Sequence, residues 1–289
     1  MRELAFRLLN VFAIEGRPFS GNALCVFEDG DGLSTDQLQA LALQLNLAET
    51  TFLLPAGAPH VDARVRIFTP TIEMPFAGHP TLGTAFVVRE RRGGGDRVVL
   101  AMRAGDVEVT ADGDLFTLRA ARPARARPAT ASRAEIASMV GLDEAALAGD
   151  PLWVDTGVEQ LIVPVATADD VRRALPVPAR LDRFGFCEAA GESMAYVVAR
   201  TAEDAAEARF FSCARGAVVE DAATGSACAN LGGWLVATGA SRSAAIRVRQ
   251  GDAVGRPSLL RLEVSEAGEV RVGGLVVPVG RGTLAMRLD

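Results

Sequence analysis

Apolar positions in the first half of the chain recur with the periods of short strands and of two helices. Leu4–Ala13 and Ala23–Phe27 are apolar runs on either side of a turn rich in glycine, so both predict strands. A helix that Ser34 can cap should end near Asn46, because apolar residues follow at helical spacing at Leu38, Leu41, Ala42 and Leu45. The pattern predicts further strands near 50–54, 64–68, 98–102, 107–110 and 115–118, and a helix from about 80 to 89.

The second half repeats this rhythm. The pattern predicts helices near 133–140, 167–174 and 226–236, and strands near 161–165, 194–199, 246–249, 258–264, 270–272 and 283–287. Each half contains a strand with Arg and Phe, then a loop, then a helix start with a glycine. Those glycines, Gly78 and Gly225, lie about half a chain length apart. We therefore predict two similar lobes that mix helices and strands.

A change of composition separates the two halves. Ala120–Arg133 is rich in alanine, arginine and proline, contains no acidic residue and lacks an apolar period. Its arginines can bind anions, but a solvated linker between two lobes explains the composition better. The lobes are predicted at residues 1–120 and 121–278, with a C-terminal strand, 279–289, packing back on the first.

The amino-acid composition removes several kinds of chemistry. Of the 289 residues, 49% are hydrophobic and 23% are charged, as in an ordinary folded protein. All 30 basic residues are arginine, which excludes a Schiff-base lysine, covalently held pyridoxal phosphate and a phosphate-loop lysine. His60 and His79 are the only histidines, and no metal-ligand spacing occurs, so no metal site is predicted.

Charge and hydropathy restrict the partners and the compartment. A net charge of −6 gives no counterion-release drive for nucleic acid binding. No apolar run of about 18 residues is present, so no membrane partner is predicted. Charged residues interrupt the first 22 residues, which excludes a signal-peptide core. The four scattered cysteines form no CxxC and predict buried free thiols in a reducing cytoplasm.

The segment Phe76–Ala85 has the features of a helix entry with a histidine at its N-terminus. Pro80 suits a first helical turn, and Gly78 lets the backbone approach a ligand closely. At that position the helix dipole disfavours a charged His79, and unpaired N–H groups point outward. A capped helix whose histidine bonds to loop carbonyls explains the pattern equally well.

A second helix entry lies in Val219–Ala227. Thr224 and Ser226 can cap the helix, and Gly225 opens the backbone. Such an end binds a carboxylate or phosphate through N–H groups and dipole. The position of Asp221 just before the helix is explained equally well by a carboxylate that only complements the helix dipole. Two such ends, one from each lobe, would form an anion-binding cleft without lysine.

The third candidate is Glu49, within Asn46–Phe52. A carboxyl between an apolar helix end and an apolar strand is expected to be partly desolvated, which suits a general acid/base. The alternative is a helix-end carboxylate bound to nearby N–H groups. The spacing does not decide between them, and the isolated Glu73 and Glu220 are weaker candidates.

These segments together resemble the PhzF family of isomerases in order and spacing, over essentially the whole chain. The resemblance rests on Gly21-Asn22-Ala23, on the runs 46–52, 66–85 and 218–227, and on Gln250-Gly251 with 255–258. It implies an α+β fold of the diaminopimelate epimerase-like type, with two similar lobes. Each lobe would be a β-barrel-like sheet around a central helix, with the active site in the cleft between the lobes. The family resemblance also implies a homodimer and no cofactor.

Matched residue by residue, the resemblance implies that the catalytic glutamate, histidine and aspartate are Glu49, His79 and Asp221. It implies that the substrate is contacted by Asn22, Gly78, Thr224, Gly225 and Ser226. The paired catalytic cysteines of related epimerases would fall near Ala77 and Thr224, so a two-thiol mechanism is excluded. Ala23 replaces a proline, and Ala48 replaces a serine beside the glutamate, which leaves the substrate open.

The leading hypothesis is a cofactor-independent isomerase of a small carboxylate such as trans-2,3-dihydro-3-hydroxyanthranilate. Glu49 would remove a proton from one carbon and return it to another, while His79 and Asp221 hold or polarise the substrate. The helix N-termini would bind the carboxylate. The alternatives are an amino-acid epimerase or racemase, with His79 or Asp221 opposite Glu49, and a carboxylate-binding protein without catalysis.

Overall fold

The computed structural model of the protein describes residues 1–214, 216–241 and 243–287. The chain forms two compact units. Unit 1 consists of Met1–Leu118 and the chain from Gly273 onward, and unit 2 of Arg119–Val272. The lobe limits expected from the sequence, at 120 and 278, stay a prediction. No helix in the described residues is long and apolar enough to cross a membrane.

Unit 1 is a β-barrel around a buried helix. Its strands are β1 (Arg2–Ala13), β2 (Asn22–Phe27), β3 (Glu49–Leu54), β4 (Ala63–Phe68), β5 (Glu73–Met74), β6 (Arg97–Met102), β7 (Gly105–Asp112), β8 (Leu115–Arg119) and the end of β18 (Val270–Met286); its helices are α1 (Thr35–Leu45) and α2 (Gly78–Arg91). The strands pair in the order β1, β2, β3, β4, β6, β7, β8. β18 pairs with both β1 and β8, which closes the barrel.

The two helices of unit 1 differ in how much of their surface is buried. In α1, Ser34 and Gln37 form a capping box, Asn46 ends the helix in the left-handed conformation, and one apolar face is buried, as predicted. In α2 every residue from His79 to Val88 is buried. It packs against β1, β2, β3 and β6, so the strands surround it. A helix buried on all sides carries no amphipathic stripe.

Unit 2 contains a corresponding series of elements with several additional ones. They are β9 (Arg125–Pro128), α3 (Arg133–Met139), a 3-10 turn (Glu144–Ala146), β10 (Leu152–Asp155), β11 (Glu159–Pro164), α4 (Ala168–Arg173), α5 (Pro178–Phe184), β12 (Phe186–Cys187), β13 (Glu192–Ala202), β14 (Ala205–Ala214), β15 (Ala217–Asp221), α6 (Gly225–Thr238), β16 (Ala244–Gln250), β17 (Ser258–Val264) and the start of β18. The buried helix is α6, which packs against β9, β10, β11 and β17.

The strand pairings of the two units repeat one pattern. In unit 1, β2 pairs parallel with β3, β3 antiparallel with β4, β4 antiparallel with β5 and parallel with β6. In unit 2, β11, β13, β14, β15 and β16 pair in the same senses. In each unit the buried helix makes the crossover that a parallel pair needs. The prediction of two similar lobes, each a barrel-like sheet around a helix, is confirmed.

The interpretation of Ala120–Arg133 as a solvated linker is wrong in part. Within it, Arg125–Pro128 is a strand that pairs with Leu152–Asp155. All four side chains of β9 are exposed, so the strand has no apolar period. Its pairing comes from backbone groups, which a side-chain pattern does not reveal.

Two further predictions need correction. The strands predicted at 270–272 and 283–287 belong to one continuous strand, β18, although glycines and a proline interrupt its apolar pattern. Register shifts between Leu8 and Leu9 and between Val11 and Ala13 accommodate the irregular sequence. The pattern also misses α5, because Leu181 is the one buried residue in that helix.

Candidate active site

The structure brings two of the predicted catalytic residues together in unit 1. Glu49 is the first residue of β3, directly after the chain leaves α1, and His79 is the second residue of α2. His79 Nδ1 lies 2.8 Å from Glu49 Oε2. The side chain of His79 is 4% exposed and that of Glu49 is 18% exposed. The pair is therefore largely shielded from water, while the carboxyl keeps one accessible side.

This hydrogen bond can hold its proton in either of two ways. An ionised Glu49 accepts from a protonated Nδ1, and a protonated Glu49 donates to a bare Nδ1. The carboxyl can thus change protonation without losing its partner. That property is what a single residue needs in order to act first as a base and then as an acid.

Two buried polar atoms of β3 and α2, His79 Nε2 and the hydroxyl oxygen of Thr50, have no hydrogen-bond partner among the described residues. The Nε2 atom belongs to the pair itself, whereas Thr50 follows Glu49 in β3 and its side chain points to the other face of the strand. An unsatisfied buried polar group costs about 1–3 kcal/mol. Such a cost is unusual in a core and is explained when a ligand or water supplies the missing bond.

The N-terminus of α2 is left without a protein cap. Its N-cap residue, Ala77, has no side-chain hydrogen-bonding group, and the first turn carries no acidic residue. By contrast, α1, α3 and α4 each begin with a complete capping box. The unpaired N–H groups and the positive end of the helix dipole are therefore available to an anion next to His79.

Asn22 lies at the start of β2, on the strand next to Glu49. It is buried, and the register pairs Leu24, two residues further on, with Glu49 of the parallel strand β3. Gly21 before it has a φ of +82°, and a Cβ there would lie 2.5 Å from the carbonyl oxygen of Val11. Only glycine fits this turn, and the turn sets where Asn22 begins its strand.

A second cluster of predicted residues lies in unit 2, at the N-terminus of α6. Asp221 ends β15, and the Thr224 hydroxyl donates to its Oδ2 at 2.6 Å. Thr224 occupies the N-cap position, as predicted, but its side chain makes no cap bond, and Ser226 lies inside the helix and is not its cap. Thr224 bonds to Asp221 instead, and Ser226 Oγ accepts from Gln160 at 3.0 Å. This helix, too, has no acidic residue in its first turn.

Gln250 holds the loop between Asp221 and Thr224. Its amide nitrogen donates to the carbonyl oxygen of Asp221 and to Thr224 Oγ1, each at 3.0 Å. Gly251, at a φ of +83°, lets this strand end lie against Ala222, where a Cβ would collide with backbone oxygens. Sequence reasoning noted Gln250-Gly251 only within the family resemblance. The family motif is the one sequence signal that points to Gln250, because its local pattern does not show that the amide is buried.

Tyr196, the one tyrosine of the chain, is a residue that sequence reasoning missed. It is fully buried in β13, and its hydroxyl has no partner within the described part of the chain. Burial raises the pKa of Tyr196, and the nearby Cys228 thiol and Asp221 carboxyl raise it further. Nothing in the local sequence around Tyr196 indicates this position, which depends on the pairing of β13 with β14.

Each unit has the same ion pair on the strand that leads to its buried helix. In unit 1, Arg66 bonds to Glu73 at 2.7 and 2.8 Å and lies over the ring of Phe68, which faces Glu73 in the register. Arg66 holds the pKa of Glu73 below its usual range. In unit 2 the equivalent residues are Arg209, Phe211 and Glu220. Glu73 and Glu220 therefore hold the loops in place.

The remaining sequence candidates lie elsewhere. His60 is exposed and pairs with Asp106 on the surface. The cysteines are free; three are buried, whereas Cys213 is half-buried, so the prediction of burial is wrong for that residue. Among the described residues, no group of three or more histidine, cysteine, aspartate or glutamate side chains is placed to hold a metal ion.

Comparisons with known proteins agree with this fold and these motifs. A family model described as phenazine biosynthesis-like protein, PhzC-PhzF, matches residues 9–282. An uncharacterised isomerase of Pasteurella multocida is 34% identical over 280 residues, which cover 97% of this chain and 93% of that protein. Trans-2,3-dihydro-3-hydroxyanthranilate isomerase of Pseudomonas fluorescens is 32% identical over 279 residues, 93% of this chain and 95% of that protein.

A solved structure supports the fold independently. The predicted epimerase PA4716 of Pseudomonas aeruginosa is similar with a TM-score of 0.80 and 31% sequence identity, over 98% of this chain and 100% of that one. The fold is thus the two-lobed epimerase-like type, and the chain is a PhzF-type isomerase. By the match to its model and by these relatives, the chain belongs to the PhzC-PhzF, phenazine biosynthesis-like family.

Proposed function

We propose that the protein isomerises a small cyclic carboxylate by moving a proton between two carbons of one conjugated system. Glu49 removes the proton from the first carbon and returns it to the second. The substrate class is that of trans-2,3-dihydro-3-hydroxyanthranilate, which the Pseudomonas fluorescens relative is named for. The proposed reaction uses no cofactor, because the conjugated system of the substrate itself delocalises the negative charge.

The bond between His79 Nδ1 and Glu49 Oε2 is the observation that carries this proposal. A proton carrier must release and regain a proton without moving away from the substrate. The histidine keeps the carboxyl oriented in both protonation states, and Nε2 on its other side is buried and unpartnered in the described residues. That nitrogen is suited to bond with a hydroxyl or amino group of the substrate.

Each buried helix, taken within its own unit, is proposed to bind the negative charge of an acidic group with its uncapped N-terminus. In α2 the donors are the N–H groups of Gly78 and His79, because Pro80 has none and the Thr81 N–H bonds to the Ala77 carbonyl. In α6 they are the N–H groups that follow Thr224, with the Ser226 hydroxyl. Fixed N–H dipoles stabilise negative charge without reorganising during the reaction. Asp221, already bonded to Thr224, is proposed to hold the substrate amino group.

Glu49→Gln tests the proposal. The amide keeps the shape and accepts from His79, but it cannot take a proton from carbon. We expect turnover of trans-2,3-dihydro-3-hydroxyanthranilate to fall at least about 100-fold, with the melting temperature unchanged. Glu15→Gln, the same change on an exposed turn residue, should leave both unchanged. Activity retained by Glu49→Gln would rule out this glutamate as the proton carrier.

Reaction in deuterated water separates the isomerase from an epimerase, which the name of the structural relative suggests as the second candidate. Isomerisation places deuterium on a new carbon, whereas epimerisation labels the original stereocentre. Epimerisation also needs acid/base groups on opposite faces of that carbon. Tight binding of the substrate with no label incorporated would indicate a binding protein without catalysis.

A further inference from the structure

A chain of buried amides in unit 2 runs from the backbone near Thr156 to the Ser226 hydroxyl. Asn230 Oδ1 accepts from the Thr156 N–H at 2.9 Å and from its hydroxyl at 2.7 Å. Asn230 Nδ2 donates to the Val158 carbonyl and to Gln160 Oε1, each at 2.8 Å. Gln160 Nε2 then donates to Ser226 Oγ at 3.0 Å.

The backbone fixes the direction of every bond in this chain. A backbone N–H only donates and a backbone carbonyl only accepts, so Thr156 and Val158 determine which end of the Asn230 amide is nitrogen. That assignment forces the oxygen of Gln160 towards Asn230 and its nitrogen towards Ser226. Asn230 and Gln160 are 0% and 3% exposed, so water does not compete for these bonds.

These fixed bonds determine the direction in which the Ser226 hydroxyl can donate its hydrogen. Because its oxygen accepts from Gln160, its hydrogen must point elsewhere, and none of the described residues accepts it. Ser226 is half-buried at the second position of α6, beside the uncapped N–H groups. Its hydroxyl is thereby held as a donor that adds to the donors of the helix end.

Gln250 orients the Thr224 hydroxyl in the same way as Gln160 orients that of Ser226. Its amide is fixed by the Asp221 carbonyl and the Thr224 N–H, and it donates to Thr224 Oγ1. Thr224 then donates to the Asp221 carboxyl. The Thr224 hydroxyl therefore donates to a carboxylate of the protein itself. The Ser226 hydroxyl is held as a donor in the same way, so it too is suited to donate to a carboxylate.

We propose that Gln160, held by Asn230, is a positioning residue that makes Ser226 a hydrogen-bond donor to the carboxylate of the substrate. This inference rests on the proposed function, in which α6 binds that carboxylate. Without Gln160 the serine hydroxyl is free to turn back and donate inward. A carboxylate accepts only, so a hydroxyl with the opposite polarity contributes nothing to binding it.

The test compares two probes, anthranilate and aniline, which differ by the carboxylate, in calorimetric binding to the full-length protein. A hydrogen bond to a charged group corresponds to about a 10- to 100-fold change in affinity. We expect Gln160→Met to weaken anthranilate binding by about 10-fold and to leave aniline binding unchanged. Gln44→Met, the same change at an exposed position of α1, should alter neither.

A double-mutant cycle shows whether Gln160 acts through Ser226. In a Ser226→Ala background, Gln160→Met should weaken anthranilate binding less than about two-fold further. Should Gln160→Met fail to fold, Gln160→Glu keeps the shape and reverses the polarity, because its carboxylate accepts the Ser226 hydrogen. We expect this variant to lose the preference for anthranilate as well.

Several results would overturn the inference. They are equal effects on anthranilate and aniline, additive effects in the double variant, or a wild-type protein that binds anthranilate no better than aniline. A wild-type protein that prefers anthranilate and loses this preference in the Gln160 variants supports it, even if trans-2,3-dihydro-3-hydroxyanthranilate is not turned over. That last outcome would contradict only the proposed reaction.

Discussion

At the scale of single residues, the positions of Glu49 and His79, the proposed catalytic pair, follow from where two elements begin. Glu49 was singled out because helix gives way to strand there, and His79 because it follows a glycine at a helix start. The structure confirms both local positions. The contact between the two side chains depends on the barrel, since α2 crosses the inside of the sheet that contains β3.

The polar network at α6 shows where residue-level prediction ends. Gln160, Asn230 and Gln250 are buried amides whose neighbours in sequence are ordinary strand or helix residues. Their partners lie 26 to 74 residues away along the chain. No local pattern reports such distances, so the bonds of these residues follow only from the folded chain.

Gly251→Ala is predicted to destabilise the protein by more than about 1 kcal/mol. The substitution adds a Cβ that meets the backbone of Ala222 and Arg256, and it also forces alanine into a positive φ. Gly255→Ala is the matched control, because its φ of +70° is similar while nothing lies within 4 Å. Denaturant unfolding should show a clearly larger loss for Gly251→Ala. Equal losses would mean that backbone strain alone, and not contact with the α6 loop, requires glycine.

At the scale of elements, the helices differ in how their N-termini are capped. Capping boxes complete α1, α3 and α4, whereas α2, α5 and α6 begin without one, and of these three only α2 and α6 are the buried helices of their units. The sequence predicts the cap of α1 at Ser34, and the structure adds Gln37 as its partner in a capping box. The sequence misassigned the side-chain bond of Thr224 because a cap residue and a residue that bonds to an aspartate look identical in sequence.

Ala77→Ser is predicted to stabilise the protein by about 1 kcal/mol and to weaken carboxylate binding. Ala77 already has the extended backbone of an N-cap, with φ −152° and ψ 139°, so the serine hydroxyl can accept from the N–H of His79, one of the donors proposed for the substrate. Ser34→Ala should lower stability by a similar amount, about 1 kcal/mol, without affecting binding. Thermal unfolding and anthranilate titration measure the two effects. A more stable Ala77→Ser with unchanged affinity would contradict an anion site at α2.

The Arg66–Glu73 pair should make unit 1 sensitive to acid. Arg66 lowers the pKa of Glu73 below its ordinary value of 4.5, so the pair stabilises the folded state fully above that pH. The contribution is lost as pH falls through the lowered pKa, because Glu73 then binds a proton. Glu73→Gln should therefore cost about 1–3 kcal/mol at pH 7 and less at pH 3, which lies below the ordinary pKa of 4.5.

Urea unfolding at both pH values checks this prediction. Glu108→Gln removes an exposed pair with Arg97 and should cost little at either pH. A loss for Glu73→Gln that stays the same at pH 3 and pH 7 would mean that packing, and not charge, accounts for the effect.

At the scale of the whole molecule, each unit is built on one repeated pairing pattern. The repeat was expected from the strand, loop and glycine order of each half. It extends to details that were not expected, such as the ion pairs of Arg66 with Glu73 and Arg209 with Glu220. In both, the arginine lies two residues before a phenylalanine that faces the glutamate.

Removing residues 279–289 is predicted to prevent unit 1 from folding stably. Residues 280–286 of β18 pair with residues 2–8 of β1, and Leu284 and Met286 pack against the apolar cluster beneath α1. Without them β1 becomes an exposed edge, which promotes aggregation. Removing only residues 288–289 leaves these pairs intact and should yield protein with the wild-type melting temperature. A soluble, cooperatively unfolding 1–278 fragment would contradict the prediction.

Most of the local structure and the family can be predicted from the amino-acid sequence alone. Apolar periods placed most strands and helices, and the motifs around Glu49, His79 and Asp221 indicated the family and an acid/base reaction. Which polar groups contact each other becomes clear only from the tertiary structure. There Glu49 bonds to His79, the Thr224 hydroxyl bonds to Asp221 and makes no cap bond, and the exposed segment Arg125–Pro128 pairs as a strand. The physical reason is that apolar burial is periodic along the chain, whereas hydrogen bonds between distant residues depend on how the strands are paired.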